Sequence, residues 1–116
     1  MKSTSKIFGI YLLVLLFILL ANTSFSQVVV THFNAEWNKP NKAEWIGDLE
    51  ECKITYVDIS KSPEIQKKHK VVVVPTIIIF KDGEEVERWQ ADLSFKMVAT
   101  REELQEYIDE LLMEDF

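Results

Sequence analysis

Residues 71–84, VVVVPTIIIFKDGE, restrict the fold more than any other stretch. A β-branched run on either side of Pro75 followed by Asp82-Gly83 signals two antiparallel strands joined by a tight turn. The strands are expected at residues 76–80 and 85–91, linked through Lys81, Asp82, Gly83 and Glu84. Glu85, Glu87 and Gln90 give the second strand a polar face, which suits a sheet edge protected from further pairing.

Two more runs read as strands: Val28, Val29, Val30, Thr31, His32 and Phe33, then Ile54, Thr55, Tyr56, Val57, Asp58 and Ile59. Both are largely continuous in apolarity, as expected of strands buried on two faces. The segment between them starts at Pro40 and carries Ala43, Ile46, Leu49 and Cys52 at every third position. It reads as a short helix over residues 43–53, weakened by Gly47. Strand–helix–strand implies a parallel pair with a right-handed crossover. Ser62-Pro63-Glu64 starts a brief helix that ends near His69, with serine as cap and proline in the first turn. Thr100 and Glu103 form a capping box. Leu104, Tyr107, Ile108, Leu111 and Leu112 follow as one apolar helical stripe. Residues 92–99, DLSFKMVA, fit either a loop with Phe95 and Met97 tucked under it or an extension of the strand. The expected order is β-α-β-(short α)-β-β-α, an α/β fold on a mixed parallel and antiparallel four-stranded sheet.

The first 26 residues stand apart. Lys2 and Lys6 precede an uncharged apolar run over residues 7–21, and small polar residues follow, the pattern of a secretory signal peptide. The run is 15 residues long, short of the ~20 needed to span a bilayer. Ser24 and Ser26 suit cleavage after Ser26, and an uncleaved membrane anchor is the competing reading. The expected organisation is a signal segment over residues 1–26 and one domain over 27–116, periplasmic or secreted. With Lys2 and Lys6 set aside, 11 Lys and Arg face 19 Asp and Glu, a formal charge of −8. That argues against nucleic acid, whose phosphates need a basic patch. The lone Cys52 cannot close an internal disulfide, although small exported domains often carry them, so stability must come from a packed core. His32 and His69 are far apart in sequence and one cysteine is too few for a zinc-type site. No metal and no cofactor is expected.

The phrases FNAEWNKPNK, YVDISKSPEIQKKHKVVVVPTIIIFKDGE and TREELQEYIDELL, in this order, resemble the thioredoxin family over essentially the whole chain after residue 26. The family pattern is a phrase like FxAxWCGPCK, a strand ending in Asp, a Val/Ile-Pro-Thr loop, Phe-Lys-Asp/Asn-Gly and a terminal amphipathic helix. The resemblance implies a thioredoxin-like fold, with Pro75 matching the family's cis-proline and Trp37 the tryptophan that lines its substrate face. Three departures stand out. The two redox cysteines fall on Asn38 and Asn41, so the motif reads Trp37-Asn38-Lys39-Pro40-Asn41. His32 stands where the family has a buried aspartate. The family's first strand and helix are missing, the helix after the motif is cut down, and the connection QADLSFKMVA is longer than usual.

Dithiol exchange needs a thiolate that attacks a disulfide and a second thiol that resolves the mixed disulfide. Asparagine supplies neither. Asn38 can serve as an N-cap with Pro40 in the first turn, or it can recognise a polar group of a partner. Trp37, Asn38, Pro40, Val74 and Pro75, with the loop near Ala91, are expected to line a shallow apolar groove for a protein or extended peptide segment. His32 reads as a satisfied interior histidine. Cys52 reads as a core residue at the end of the short helix, or as a reactive monothiol. The resulting expectation is an exported, non-catalytic binding module. The alternatives are a thiol-disulfide oxidoreductase acting through Cys52 and a structural or assembly subunit.

Overall fold

A computed structural model describes residues 27–114; residues 1–26, which carry the signal-peptide reading, lie outside the described residues. No helix among the described residues is long and apolar enough to cross a membrane.

The strands are β1 (Val28–Asn34), β2 (Lys53–Asp58), β3 (Thr76–Lys81) and β4 (Glu84–Gln90), in the sheet order β2-β1-β3-β4. β1 runs parallel to β2 and antiparallel to β3, and β3 and β4 form the hairpin. The hairpin turns on Asp82 and Gly83 at φ 52° and 87°. Two successive left-handed residues make the type I′ turn, whose twist matches that of the flanking strands. Asp82 also ties the turn to the start of β1: its N–H donates to the Gln27 carbonyl, and its carboxylate accepts the Gln27 N–H, both at 3.0 Å.

β4 occupies an edge, in line with its polar residues. β2 occupies the other edge and is only half-buried, where the sequence suggested burial on both faces. The interior places go to β1 and β3. In β3, Ile77 and Ile79 face one way and Ile78 the other, and all three are fully buried, as the two-residue repeat of a strand requires.

The helix expected over residues 43–53 is not formed. Two 3-10 segments, Glu36–Asn41 and Glu44–Asp48, take its place. Ala43, Ile46 and Leu49 are buried nevertheless. A strict spacing of three is the 3-10 repeat rather than the 3.6 of an α-helix. The apolar pattern therefore marks the correct buried face, and only its reading as one continuous α-helix fails. Leu49 turns extended and Glu51 takes φ 61°, so Cys52 lies in a bend before β2 and not at a helix end.

Two α-helices complete the fold: α1 (Pro63–Lys68) and α2 (Arg101–Met113). Pro63 opens α1 as expected, but the Ser62 hydroxyl makes no cap bond. At α2, Thr100 Oγ1 accepts the Glu103 N–H at 3.3 Å and contacts the Glu103 carboxylate at 3.5 Å. Leu104, Ile108 and Leu111 bury one stripe of α2 against the sheet, with Val30, Ile46, Ile77 and Ile79. A second cluster on the other face holds Phe33, Ala35, Val71, Val74 and Ile78. Residues 92–99 form a loop: Met97 packs on the α2-side core, whereas Phe95 stays at the surface with 43% of its area exposed.

Candidate functional site

β1 ends at Asn34 and the chain turns at once into Glu36–Asn41. Ala35, extended and without a side-chain bond, stands at the N-cap. Asn38, expected to be the cap, lies inside the segment at φ −108° and ψ 15°, where the backbone departs from helical geometry. It caps nothing, because the turn begins directly after the strand and carries Asn38 past the first position. Its side chain points into the protein and is 3% exposed.

The Asn38 amide nitrogen faces three acceptors: Asn34 Oδ1 at 3.1 Å, the Phe95 carbonyl at 3.2 Å and the Val74 carbonyl at 3.4 Å. Two amide hydrogens cannot fully serve three acceptors, so the long Val74 contact is a shared one. Asn41 Nδ2 donates to Asn38 Oδ1 at 2.9 Å, and Asn34 Nδ2 donates to the Asn38 carbonyl at 3.2 Å. These amides join the end of β1, the turn, the loop before Pro75 and the β4–α2 connection. Every polar atom of the buried Asn38 side chain is bonded, as an interior position demands.

The Val74–Pro75 peptide is cis, and both residues are buried. The Pro75 carbonyl accepts the Ala91 N–H at 3.0 Å. Trp37 lies nearby with 62% of its surface exposed. Its ring meets that of Phe95 edge-on, with centroids 5.1 Å apart at 88°. Phe95 sits at φ 63° in a tight loop organised by Asp92. The Asp92 carboxylate accepts the N–H and Oγ–H of Ser94 at 2.8 and 2.6 Å and the Lys96 N–H at 3.2 Å. Those bonds, those from Ser94 above all, hold the Asp92 carboxyl below the usual carboxylate range.

The structure thus brings Trp37, Asn38, Val74 and Pro75 into one region and leaves Lys39 and Pro40 exposed on the turn. Only Trp37 and Pro40 of the expected binding residues present appreciable surface; Asn38, Val74 and Pro75 are buried. Phe95 completes the region, and the sequence does not place it there. Its one sequence signal is the lengthened connection in which it lies.

His32 is 2% exposed, and its Nε2 accepts the Ala43 N–H at 3.2 Å. Burial, then the charge of Lys42, pushes its pKa down to about 4, so the ring is neutral at neutral pH. Cys52 is half-buried against the α2-side core, and that burial pushes its thiol up. A raised thiol holds little of the thiolate that exchange chemistry requires. Among the described residues, no group of three or more His, Cys, Asp or Glu side chains is placed to hold a metal. The asparagines can donate and accept hydrogen bonds, but an amide is neither a nucleophile nor a redox couple.

The thioredoxin family model matches residues 20–110. Thioredoxin of Chlamydia trachomatis is 38% identical over 74 residues, spanning 59% of this chain and 72% of that protein. Thioredoxin of Staphylococcus epidermidis is 34% identical over 70 residues, spanning 54% and 67%. Among solved structures, a mutant thioredoxin from Halobacterium salinarum superposes with a TM-score of 0.59 at 22% identity, over 74% of this chain and 75% of that one. Fasciola hepatica thioredoxin superposes with a TM-score of 0.53 at 26% identity, over 81% and 89%. By sequence and by fold, this chain belongs to the thioredoxin family.

Proposed function

We propose that this chain is an exported thioredoxin-fold binding module that takes a protein or an extended peptide segment without dithiol chemistry. The observation that carries this reading is the Asn38–Asn41 pair. Both amides stand where exchange needs thiols, and Asn38 Oδ1 is bonded to Asn41 Nδ2 at 2.9 Å. What the site offers a partner is apolar surface: Trp37, the Phe95 ring beside it and the fully exposed Leu93 of the same loop. Aromatic side chains of this kind contribute much of the energy at protein interfaces.

The test is reduction of insulin disulfides by dithiothreitol with the purified chain present. The turbidity is expected to rise at the rate of the protein-free blank. Acceleration that survives removal of contaminants rejects the reading. Catalysis through Cys52 alone would need an accessible thiol of lowered pKa, and its burial works against both. Export rests on residues 1–26. N-terminal sequencing of the protein from its own compartment checks it: a start at Gln27 fits cleavage, and an intact Met1 means an anchored form.

A further inference from the structure

The short 3-10 segments between β1 and β2 leave part of the sheet open. A cleft of about 280 Å³ lies between the turn and β2. His32 and Asn34 of β1 line it, with Tyr56 and Asp58 of β2 and with Lys39 and Lys42 from the turn. His32 pairs in register with Tyr56, and Asn34 with Asp58. The four side chains therefore rise from one face of the sheet.

The charges around this cleft are unevenly matched. Glu36, on its rim, pairs with Lys61 at 3.7 Å. Asp58 accepts the N–H and Oγ–H of Ser60 at 2.9 and 2.7 Å. Among the described residues, neither Lys39 nor Lys42 has a carboxylate partner. Lys42 Nζ stands 4.6 Å from the centroid of the Tyr56 ring, a cation–π contact that places its charge over the cleft wall. His32 cannot compete for an anion as a cation, because it is buried and neutral. The lining thus carries two ammonium groups and two carboxylates, but Glu36 already has Lys61 and Asp58 already has Ser60, which leaves Lys39 and Lys42 as the charged groups free to take an anion.

We propose that this cleft binds a carboxylate group, with Lys39 and Lys42 as its cationic contacts and the Tyr56 ring as its apolar wall. Its size is at the small end of ligand sites, which suits a short acid or one acidic side chain. Glu36 and Asp58 on the rim disfavour a phosphate dianion or a polyanion by like-charge repulsion. The carboxylate can come from a free small acid or from a glutamate of a partner, and the test separates the two.

The full chain, 15N-labelled and held in a non-ionic detergent, is titrated with succinate and, separately, with a blocked glycine–glutamate–glycine peptide. Sodium chloride at matched ionic strength is the control. The Lys42 and Ala43 amides are expected to shift and saturate. Saturation by succinate identifies a free acid, and saturation by the peptide alone identifies an acidic side chain. The double substitution Lys39→Gln, Lys42→Gln is expected to weaken binding by about tenfold or more, since charged hydrogen bonds contribute most to such contacts. Lys39→Gln alone, at an exposed position, gives the same comparison with a smaller loss if the double variant unfolds. Shifts no different from chloride overturn the proposal, as does full affinity in a substituted chain that keeps its dispersed spectrum.

Discussion

Replacing Asn38 by alanine should cost much more stability than removing a helix cap. The amide makes four side-chain hydrogen bonds. Asn34, Phe95 and Asn41 are not fully buried, so after truncation their polar groups can turn to water. Each such bond then costs only its net worth, about 1 kcal/mol. The Val74 carbonyl differs, because Val74 is 2% exposed and has no such recourse. Its contact is long, at 3.4 Å, so the loss is near the low end of the ~1–3 kcal/mol for a stranded buried acceptor. The partners share the donor hydrogens, so these costs do not simply add, and about 3 kcal/mol is the expected total. An exposed N-cap asparagine would lose ~1 kcal/mol. Urea unfolding followed by far-UV circular dichroism separates these values. Asn38→Asp sharpens the test. A carboxylate keeps the bond from Asn41 but sets acceptor against acceptor at Asn34, Val74 and Phe95. It should be at least as damaging as alanine at neutral pH and recover in part when acid protonates it. A cost near ~1 kcal/mol for Asn38→Ala, or a tolerated aspartate at neutral pH, would refute the network as the reason for this residue.

Three further outcomes follow from the same geometry. His32 has a folded pKa of about 4 against the ordinary 6.5 of the unfolded chain, so the unfolded chain binds more protons between those values. Its contribution of about 3 kcal/mol is complete above pH 6.5 and is lost as pH falls to 4; His32→Gln should flatten that part of the stability–pH curve, and an unchanged slope would contradict the assignment. The Cys52 thiol, raised by burial, should alkylate about tenfold or more slowly in the native chain than in urea, whereas rapid native labelling would restore the monothiol reading. Gly83 sits at φ 87° with open space around it, so Gly83→Ala should cost about 1 kcal/mol from backbone strain alone, and a neutral result would mean that the turn relaxes to another type.

Much of the architecture is legible in the sequence because its signals are local. Asp82-Gly83 fixes the hairpin through backbone conformation. The stripe from Leu104 to Leu111 fixes α2 through its period, and Thr100 marks where it begins. The segment after Pro40 misleads because Ala43, Ile46 and Leu49 support any helix that buries every third residue. The strict spacing of three favours the 3-10 form, but the break into two segments and the extended turn at Leu49 depend on where the chain must arrive, which is a tertiary constraint. The edge position of β2 is hidden for a related reason: its apolar run looks the same with one strand neighbour or two. At the site, the sequence places asparagine at positions 38 and 41 and a single cysteine at position 52. The role of Asn38 is not legible, because its partners at Val74 and Phe95 lie 36 and 57 residues away. Nothing in the sequence announces that Phe95 will take a left-handed conformation and direct its carbonyl toward the turn.

That long-range closure bears on how a partner would be held. A peptide that adds to the Pro75 loop as an extra strand seeks main-chain groups there, and the Val74 carbonyl already receives the Asn38 amide. Such a peptide must displace that contact at a cost of up to about 1 kcal/mol, and it must also move past the Phe95 loop. Asn38→Ala removes this internal competitor, so stability and binding should change in opposite directions. With S-alkylated insulin B chain as an extended probe and calorimetry as the readout, the alanine variant should bind up to about fivefold more tightly under conditions where it stays folded. Trp37→Ala should weaken binding in either background, because the exposed indole itself makes no hydrogen bond to Asn38. Weaker binding by Asn38→Ala would mean that the amide itself meets the partner. The asparagine would then be a recognition residue, and its bonds to Val74 and Phe95 would belong to the resting state alone.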